Sequence, residues 1–250
     1  MRHVVRCEIQ DTVPELYTQE QADAVVAGYP AHEREARARG IPQLGSGRVF
    51  PIELASVTVD PFPIPRFWRQ IVGVDFGWDH PFAAARLAHD PDADVLYVCN
   101  EYRQREATPV IHAAAIRGWG AWLPVAWPHD GLQHDKQSGK QLAQAYRDQQ
   151  LNMLHEHATF ENEGGYGFEA GVSEMLVRMQ VGKLKFFRTC GACLEEAAYY
   201  HRVDGLVVKE RDDLLSAIRI AMMMRRYAIS DPGRGHDADK PLFANIGTMA

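Results

Sequence analysis

The sequence predicts a mixed α/β domain, with antiparallel and parallel strands sharing one central sheet and helices covering it. Three observations predict it. Strand patterns crowd together at 71–75, 83–88 and 95–102, short helical and apolar stretches alternate after them, and a helical pattern over 212–227 carries an unbroken apolar stripe. The chain has 250 residues, 46% of them hydrophobic. That is enough for one well-buried domain with an appendage and too little for two full enzyme domains.

Residues 1–65 lack the dense apolar patterning of the chain beyond residue 66. A helical pattern runs over 19–39 with Ala22, Val25, Val26 and Tyr29 on one stripe, interrupted by Pro30 and then by a charged run from His32 to Arg39. Gly40-Ile41-Pro42, Gly45-Ser46-Gly47 and Pro61-Phe62-Pro63-Ile64-Pro65 punctuate the rest. We therefore expect a linker or adaptor segment over 1–65, a domain over 66–229 and a flexible tail over 230–250, which is rich in Gly, Asp and Pro.

Within the domain, Asp90-Pro91-Asp92 turns the second strand into the third, so the first three strands form a meander. Thr108-Pro109 is a cap-then-proline helix start, and the helix reaches about Trp119. A strand at 125–127 ends at Pro128-His129-Asp130-Gly131. Helices are expected at 139–149, 168–179 and 193–201, with apolar pieces at 153–154 and 184–187 between them. Leu214, Ala217, Ile218, Ala221 and Met222 mark the buried stripe of the last helix.

A formal net charge of -6 gives no global attraction to nucleic acid. Any DNA contact must rely on local basic patches or on metal ions that neutralise acids, so acidity does not exclude a nuclease. Cys7, Cys99, Cys190 and Cys193 form neither a disulfide framework nor a four-ligand zinc set; Cys190-Gly191-Ala192-Cys193 has redox spacing but no second pair, and ordinary packing in a reducing compartment explains it. No apolar run approaches the ~20 residues that span a bilayer. A soluble, cytosolic protein is expected.

The chemistry begins where an apolar strand ends in Asp75-Phe76-Gly77. A carboxylate at a strand end meets water and ions, and Gly77 removes a side chain that would obstruct a phosphate. Taken alone this is an ordinary Asp-x-Gly turn. A second strand, however, ends at Asp130-Gly131, itself readable as a turn, and the last helix opens with Asp212-Asp213. If the first and fourth strands are neighbours and the helix lies across them, the carboxylates converge. That is the ribonuclease H-like plan, in which acids hold two divalent ions ~4 Å apart around a scissile phosphate. Hard oxygen ligands suit Mg2+ or Mn2+ better than zinc. His80, His129 and His134 flank the acids and read as supporting or phosphate-facing groups. Lys183, Lys185, Arg188, Arg202, Lys209 and Arg211 lead to the last helix as candidate DNA contacts; a solvated surface is the plain alternative for each.

Three other motifs fail. Gly139-Lys140 imitates the end of a phosphate-binding loop, but Gln141 stands where Ser or Thr is required. Asp75-Phe76-Gly77 spells a kinase magnesium motif without the glycine-rich loop or catalytic His-Arg-Asp. His155-Glu156-His157 lacks the helical spacing of a zinc protease.

From about Asp11 to Ala228 the chain resembles the C-terminal nuclease, with its preceding linker, of the large terminase subunit of tailed double-stranded DNA phages of the headful-packaging type. The residues that carry the resemblance are Glu33-Arg34-Glu35-Ala36-Arg37, Gly40-Ile41-Pro42, Gly45-Ser46-Gly47, Asp75-Phe76-Gly77 with His80-Pro81, Trp127-Pro128-His129-Asp130-Gly131, Arg178-Met179 with Gly182-Lys183-Leu184, Tyr200-His201-Arg202, and Lys209 through Ala217. Each is weak by itself, and their order is specific. The resemblance implies a two-metal endonuclease cutting concatemeric viral DNA during packaging, with Asp75 and Asp130 as metal ligands. It also implies double-stranded DNA, a small terminase subunit and a portal protein as partners, and a site of action in the host cytoplasm on the procapsid rather than in the mature virion. No phosphate-binding loop of the motor half occurs in this chain.

For the third ligand, helical geometry separates two neighbours by about 100°. Asp212 falls beside Ser216 and Arg219 and is expected to cap the helix, whereas Asp213 falls over Ala217, whose small side chain would leave room for metal and phosphate; Asp213 is the expected ligand, with Asp212 as the alternative. Two rival functions remain. An actin-like or sugar-kinase-like ATPase also opens with Asp-x-Gly, but Gly164-Gly165 is its only candidate adenosine-binding pair. A non-catalytic docking module between motor and portal would not need the acids.

Overall fold

The computed structural model describes residues 9, 13, 14, 16–27, 38, 47–133, 141–160, 167–203 and 206–233. The chain divides into two compact units, Met1–Pro51 with His201–Val208, and Ile52–Tyr200 with Lys209–Ala250. In the first unit, helix α1 spans Gln19–Ala27. Later in the chain a two-stranded hairpin pairs Arg202–Val203 with Leu206–Val207, and Gly47 accepts a hydrogen bond from the Arg202 amide. The motif residues 31–37 and 40–46 lie outside the described residues, as do His134, Gly139-Lys140, Gly164-Gly165 and the tail beyond Gly233.

The second unit is a seven-stranded mixed sheet. Its elements in chain order are α2 (Leu54–Val57), β1 (Thr58–Val59), β2 (Arg69–Asp75), β3 (Phe82–Asp90), β4 (Val95–Gln104), α3 (Pro109–Arg117), β5 (Pro124–Ala126), α4 (Leu142–Arg147), β6 (Asn152–Met153), α5 (Phe168–Gln180), β7 (Leu184–Phe187), α6 (Gly191–Tyr199) and α7 (Asp213–Met223). The strands stand in the order β1-β7-β4-β3-β2-β5-β6. β2, β3 and β4 form the predicted antiparallel meander, while β5 joins β2 and β7 joins β4 in parallel. The first and fourth strands of the predicted order, β2 and β5, are therefore neighbours. Sequence pattern did not reveal α2 and β1, which are short and bury one side chain of their own, Val57, against the sheet edge.

Alternation along β2 decides what each face does, because successive side chains point to opposite sides. Val72 and Val74 enter an apolar cluster with Ala113 and Ile116 of α3 and with Ala143 and Tyr146 of α4. Phe82 completes that layer, its ring stacked 4.1 Å from His112 and 5.4 Å from Tyr146. The opposite face carries Gly73 and Asp75, and α7 packs there. A Cβ on Gly73 would run into the Ala217 carbonyl and lie 2.9 Å from the Ala221 Cβ. The absent side chain thus lets the last helix settle directly on the strand. From this contact, two residues up β2 to Asp75 cover ~7 Å, and one turn back along α7 to Asp213 covers ~6 Å. The helix start and the strand end arrive together.

Candidate metal centre

Asp75 ends β2, half-buried on the α7 face. Asp130 follows β5 on a short 3-10 turn, His129–Leu132, and is exposed. Asp212 and Asp213 open α7. Burial pushes the Asp75 carboxyl up from 3.8 to about 7; Arg219 opposes the rise, and the charges of Asp213, Asp212 and Asp130 add to it. Asp75 thus feels the charges of three other acids, contributed by two other elements. Asp213 and Asp212 are raised as well, each chiefly by burial.

Among the described residues, no three carboxylate, imidazole or thiol groups close around a single point. The donor set still fits a hard divalent ion, since it is all oxygen at the acid centre and its neutralisation would relieve the repulsion just described.

The two neighbouring aspartates play different parts. Asp212 is 9% exposed and accepts a hydrogen bond from the Tyr200 hydroxyl at 3.2 Å. It occupies the N-cap position but makes no side-chain cap bond, contrary to expectation. Glu196 of α6 is the actual cap, accepting the amides of Leu214 at 2.9 Å and Leu215 at 3.1 Å, and it is held in turn by the Arg103 guanidinium at 2.6 Å. Burial lifts the Glu196 carboxyl to about 7 despite these donors. Asp213, half-buried, opens into a cavity of about 370 Å³ shared with His80, Arg103 and Arg211. Ala217 is buried, and its backbone carbonyl faces Gly73.

Gly77 has a reason in the local backbone. Its Cβ would strike the carbonyls of His80 and Pro81, so the glycine allows the loop after Asp75 to fold back on itself. Gly131 likewise makes room for rings, with Phe76 2.9 Å from where its Cβ would stand and Trp127 packed still closer.

The basic candidates separate. Arg211 borders the Asp213 cavity, and Lys209 sits 4.5 Å from the Phe168 ring, close enough to favour the charged form of Asp212. Lys183 and Lys185 are not brought to the acids. β7 runs parallel to β4, so Lys183 lies at the opposite end of the sheet, where it pairs with Asp94 at 3.2 Å. Eight residues of β4, from Val95 to Arg103, separate its level from that of Arg103, about 26 Å at ~3.3 Å per residue. Lys185 donates to the Ser56 carbonyl, and Arg188 pairs with Asp60 at 2.8 Å, three strands from β2. Arg202 belongs to the other unit. His80 helps to hold Asp213 ionised, while His129 packs its ring edge 5.0 Å from His157.

Sequence reasoning missed Arg103, Glu196 and Arg219. Arg219 lies 5.1 Å from the Phe168 ring, and its buried Nε lacks a hydrogen-bond partner. Gly171, inside α5, clears space for its stem, since a Cβ there would come 2.6 Å from Cγ. A glycine within a helix costs about 1 kcal/mol relative to alanine; this one was the available signal of a close approach.

A mixed sheet with a three-strand antiparallel meander, parallel outer strands and acids at the ends of the neighbouring strands β2 and β5 defines a ribonuclease H-like domain. Residues 72–225 match the terminase RNase H-like domain family, and the chain belongs to it. It is 46% identical over 226 residues to the large terminase subunit of Salmonella phage P22, covering 90% of this chain and 45% of that protein. The chain thus spans about half the length of the curated relatives it matches. It also matches the solved P22 large terminase nuclease domain at 43% identity and a TM-score of 0.70, over 75% of this chain and 96% of that one. The nuclease domain of the phage SPP1 large terminase, solved with bound Mn, shares the fold at 15% identity and a TM-score of 0.50, over 66% and 95% of the two chains.

Proposed function

We propose that this chain is a metal-dependent endonuclease that cuts concatemeric double-stranded DNA with little sequence preference during phage genome packaging. The observation that carries this reading is the electrostatic coupling of Asp75 to Asp213, Asp212 and Asp130 at one end of the sheet. Asp75, Asp130 and Asp213 would hold two divalent ions, with Asp212 as the alternative third ligand. When bound, such ions supply an activated water and neutralise charge on the phosphate and the leaving oxygen. Mg2+ and Mn2+ are the candidates on donor chemistry. The Mn of the SPP1 domain belongs to that protein and motivates Mn2+ as a test ion.

The chain's own residues do three things. The acids present anionic oxygens at the sheet end. Glu196 and Arg103 fix the start of α7 and with it the position of Asp213. Arg219 offsets part of the negative charge on Asp75. A small terminase subunit and a portal protein are proposed partners, on the resemblance to large terminases.

Plasmid nicking and cleavage should appear with Mn2+ or Mg2+, stop on addition of EDTA and vanish in a folded Asp75→Asn variant. Robust cleavage by metal-free protein would overturn the mechanism. Nucleotide titration separates the ATPase rival, which predicts saturable ATP binding. Metal titration separates the docking rival, which predicts none.

A further inference from the structure

Most basic side chains of the second unit are already engaged by a carboxylate, a carbonyl or an aromatic ring. Among the described residues of that unit, the side chains of Arg69, Arg105 and Arg211 have no ion pair, hydrogen bond or ring contact, and all three residues are exposed. Arg69 opens β2 at the end away from Asp75. Arg105 and Arg211 instead line the same cavity of about 370 Å³ that Asp213 opens into. Resting on the nuclease reading, we infer that Arg105 and Arg211 clamp one backbone phosphate of duplex DNA, a few nucleotides from the scissile phosphate and on the Asp213 side of it.

The charges around the cavity favour an anion at these two residues. Arg103 is paired with Glu196, which is itself committed to the amides of Leu214 and Leu215. Asp213 is given to the metal in the nuclease reading, and an ion there adds positive charge to the same cavity. Glu195 remains on the wall as an exposed carboxylate, so two guanidinium groups face one uncommitted acid. The fork of N–H donors on a guanidinium matches the oxygens of a phosphate.

Both arginines are placed by the backbone around them. Arg105 stands between Arg103, fixed by its pair with Glu196, and Glu106, whose left-handed backbone at φ 51° accompanies a hydrogen bond from its amide to the Trp78 carbonyl. Arg211 is itself left-handed, at φ 54°, immediately before Asp212 and Asp213. A residue with a Cβ is disfavoured in that region and glycine is not. Local backbone preference therefore does not select an arginine here, and no ion pair or hydrogen bond of its side chain offsets the cost. Contact with a ligand gives a strained arginine beside an acid centre a reason to be there.

Sheet order sets the distance to the cut. Arg105 follows β4, two strand spacings from β2 and Asp75, or ~10 Å at ~4.8 Å each. At ~3.4 Å of rise per phosphate of one strand, the clamped phosphate is about three positions from the scissile one. Phosphates lie on the outside of the duplex, so this contact leaves every base paired and reads no sequence.

The test measures binding of a mixed-sequence duplex by Asp75→Asn protein, which prevents cutting, in Mn2+ over a range of salt. Arg105→Ala and Arg211→Ala should each weaken binding about 10-fold at low salt, the lower bound for hydrogen bonds to a charged group. Together they should lower the slope of log affinity against log salt by about 0.9, the duplex value for one lost phosphate contact. Arg69→Ala, which removes an exposed and unpaired charge from the far end of β2, should leave both quantities unchanged. Arg211→Gly should lose binding without a fall in Tm, because relief of the left-handed strain offsets the freedom that glycine adds to the unfolded chain. If Asp75→Asn fails to fold, the same titrations are made with the catalytic acids unaltered, in EDTA. An unchanged slope in the double variant, a fall of about 1.8 that marks two separate phosphates, an equal loss in Arg69→Ala, or a lower Tm in Arg211→Gly would each overturn the clamp. Metal-dependent plasmid cleavage by the parent chain would keep the nuclease reading intact in all of these cases. Absence of any duplex binding by the parent chain would overturn both.

Discussion

Asp75→Asn should stabilise the metal-free chain, and most strongly above neutral pH. Burial first, then the like charges of Asp213, Asp212 and Asp130, raise the carboxyl from 3.8 to about 7. Between these values the folded state holds a proton that the unfolded state has released. Stability therefore falls as pH rises from about 4 to about 7, and the full penalty persists above. At about 1.4 kcal/mol per pH unit, the interval bounds that penalty near 4 kcal/mol. The carboxylate keeps partial contact with water, and screening brings the expected gain from Asn to about 2 kcal/mol. For a chain of this size, that is roughly 4–8 °C in Tm. The assay is thermal unfolding by circular dichroism in EDTA at pH 4.5 and pH 8. The variant should melt higher at pH 8, with the gap shrinking at pH 4.5. Saturating Mn2+ should then favour the parent chain, because a ligand stabilises only the state that binds it. A variant that is destabilised at pH 8, or a gap that does not change with pH, would refute an uncompensated acid cluster at this strand end.

Three further outcomes are expected. Asp213→Asn should abolish plasmid cleavage with little change in Tm, whereas Asp212→Asn, which can keep a hydrogen bond from Tyr200, should retain measurable activity; the reverse pattern moves the ligand role to Asp212. Glu196→Ala strips the cap from Leu214 and Leu215 and the partner from Arg103, so a loss of about 3–5 kcal/mol by urea unfolding is expected, with Glu196→Gln losing less. Gly73→Val would push α7 off β2, costing about 1–3 kcal/mol or more and weakening Mn2+ affinity together with stability; an unchanged Tm would show that the helix does not rest on this strand.

Local pattern in the sequence was enough to place strands β2 to β5, the apolar pieces at β6 and β7, the last helix and the positions of Asp75, Asp130 and Asp213 at element ends. Those signals are local: period-two alternation, turn residues after a strand and a stripe at helical spacing act within a few residues. Its boundaries were looser where pattern was thin, as in α4, which spans Leu142–Arg147 against an expected 139–149. Tertiary structure alone decided which charges meet those acids. Lys183 and Arg211 look alike as basic residues in loops, yet parallel pairing of β7 with β4 carries Lys183 to the far end, while Arg211 precedes the helix that Gly73 admits onto β2. The cap on α7 comes from Glu196, a residue that sequence pattern assigns only to another helix, and Arg219 reaches the site through a notch at Gly171. Such contacts join residues far apart in the chain, so they are set by sheet order and by how closely backbones can approach, and no short stretch of sequence encodes either.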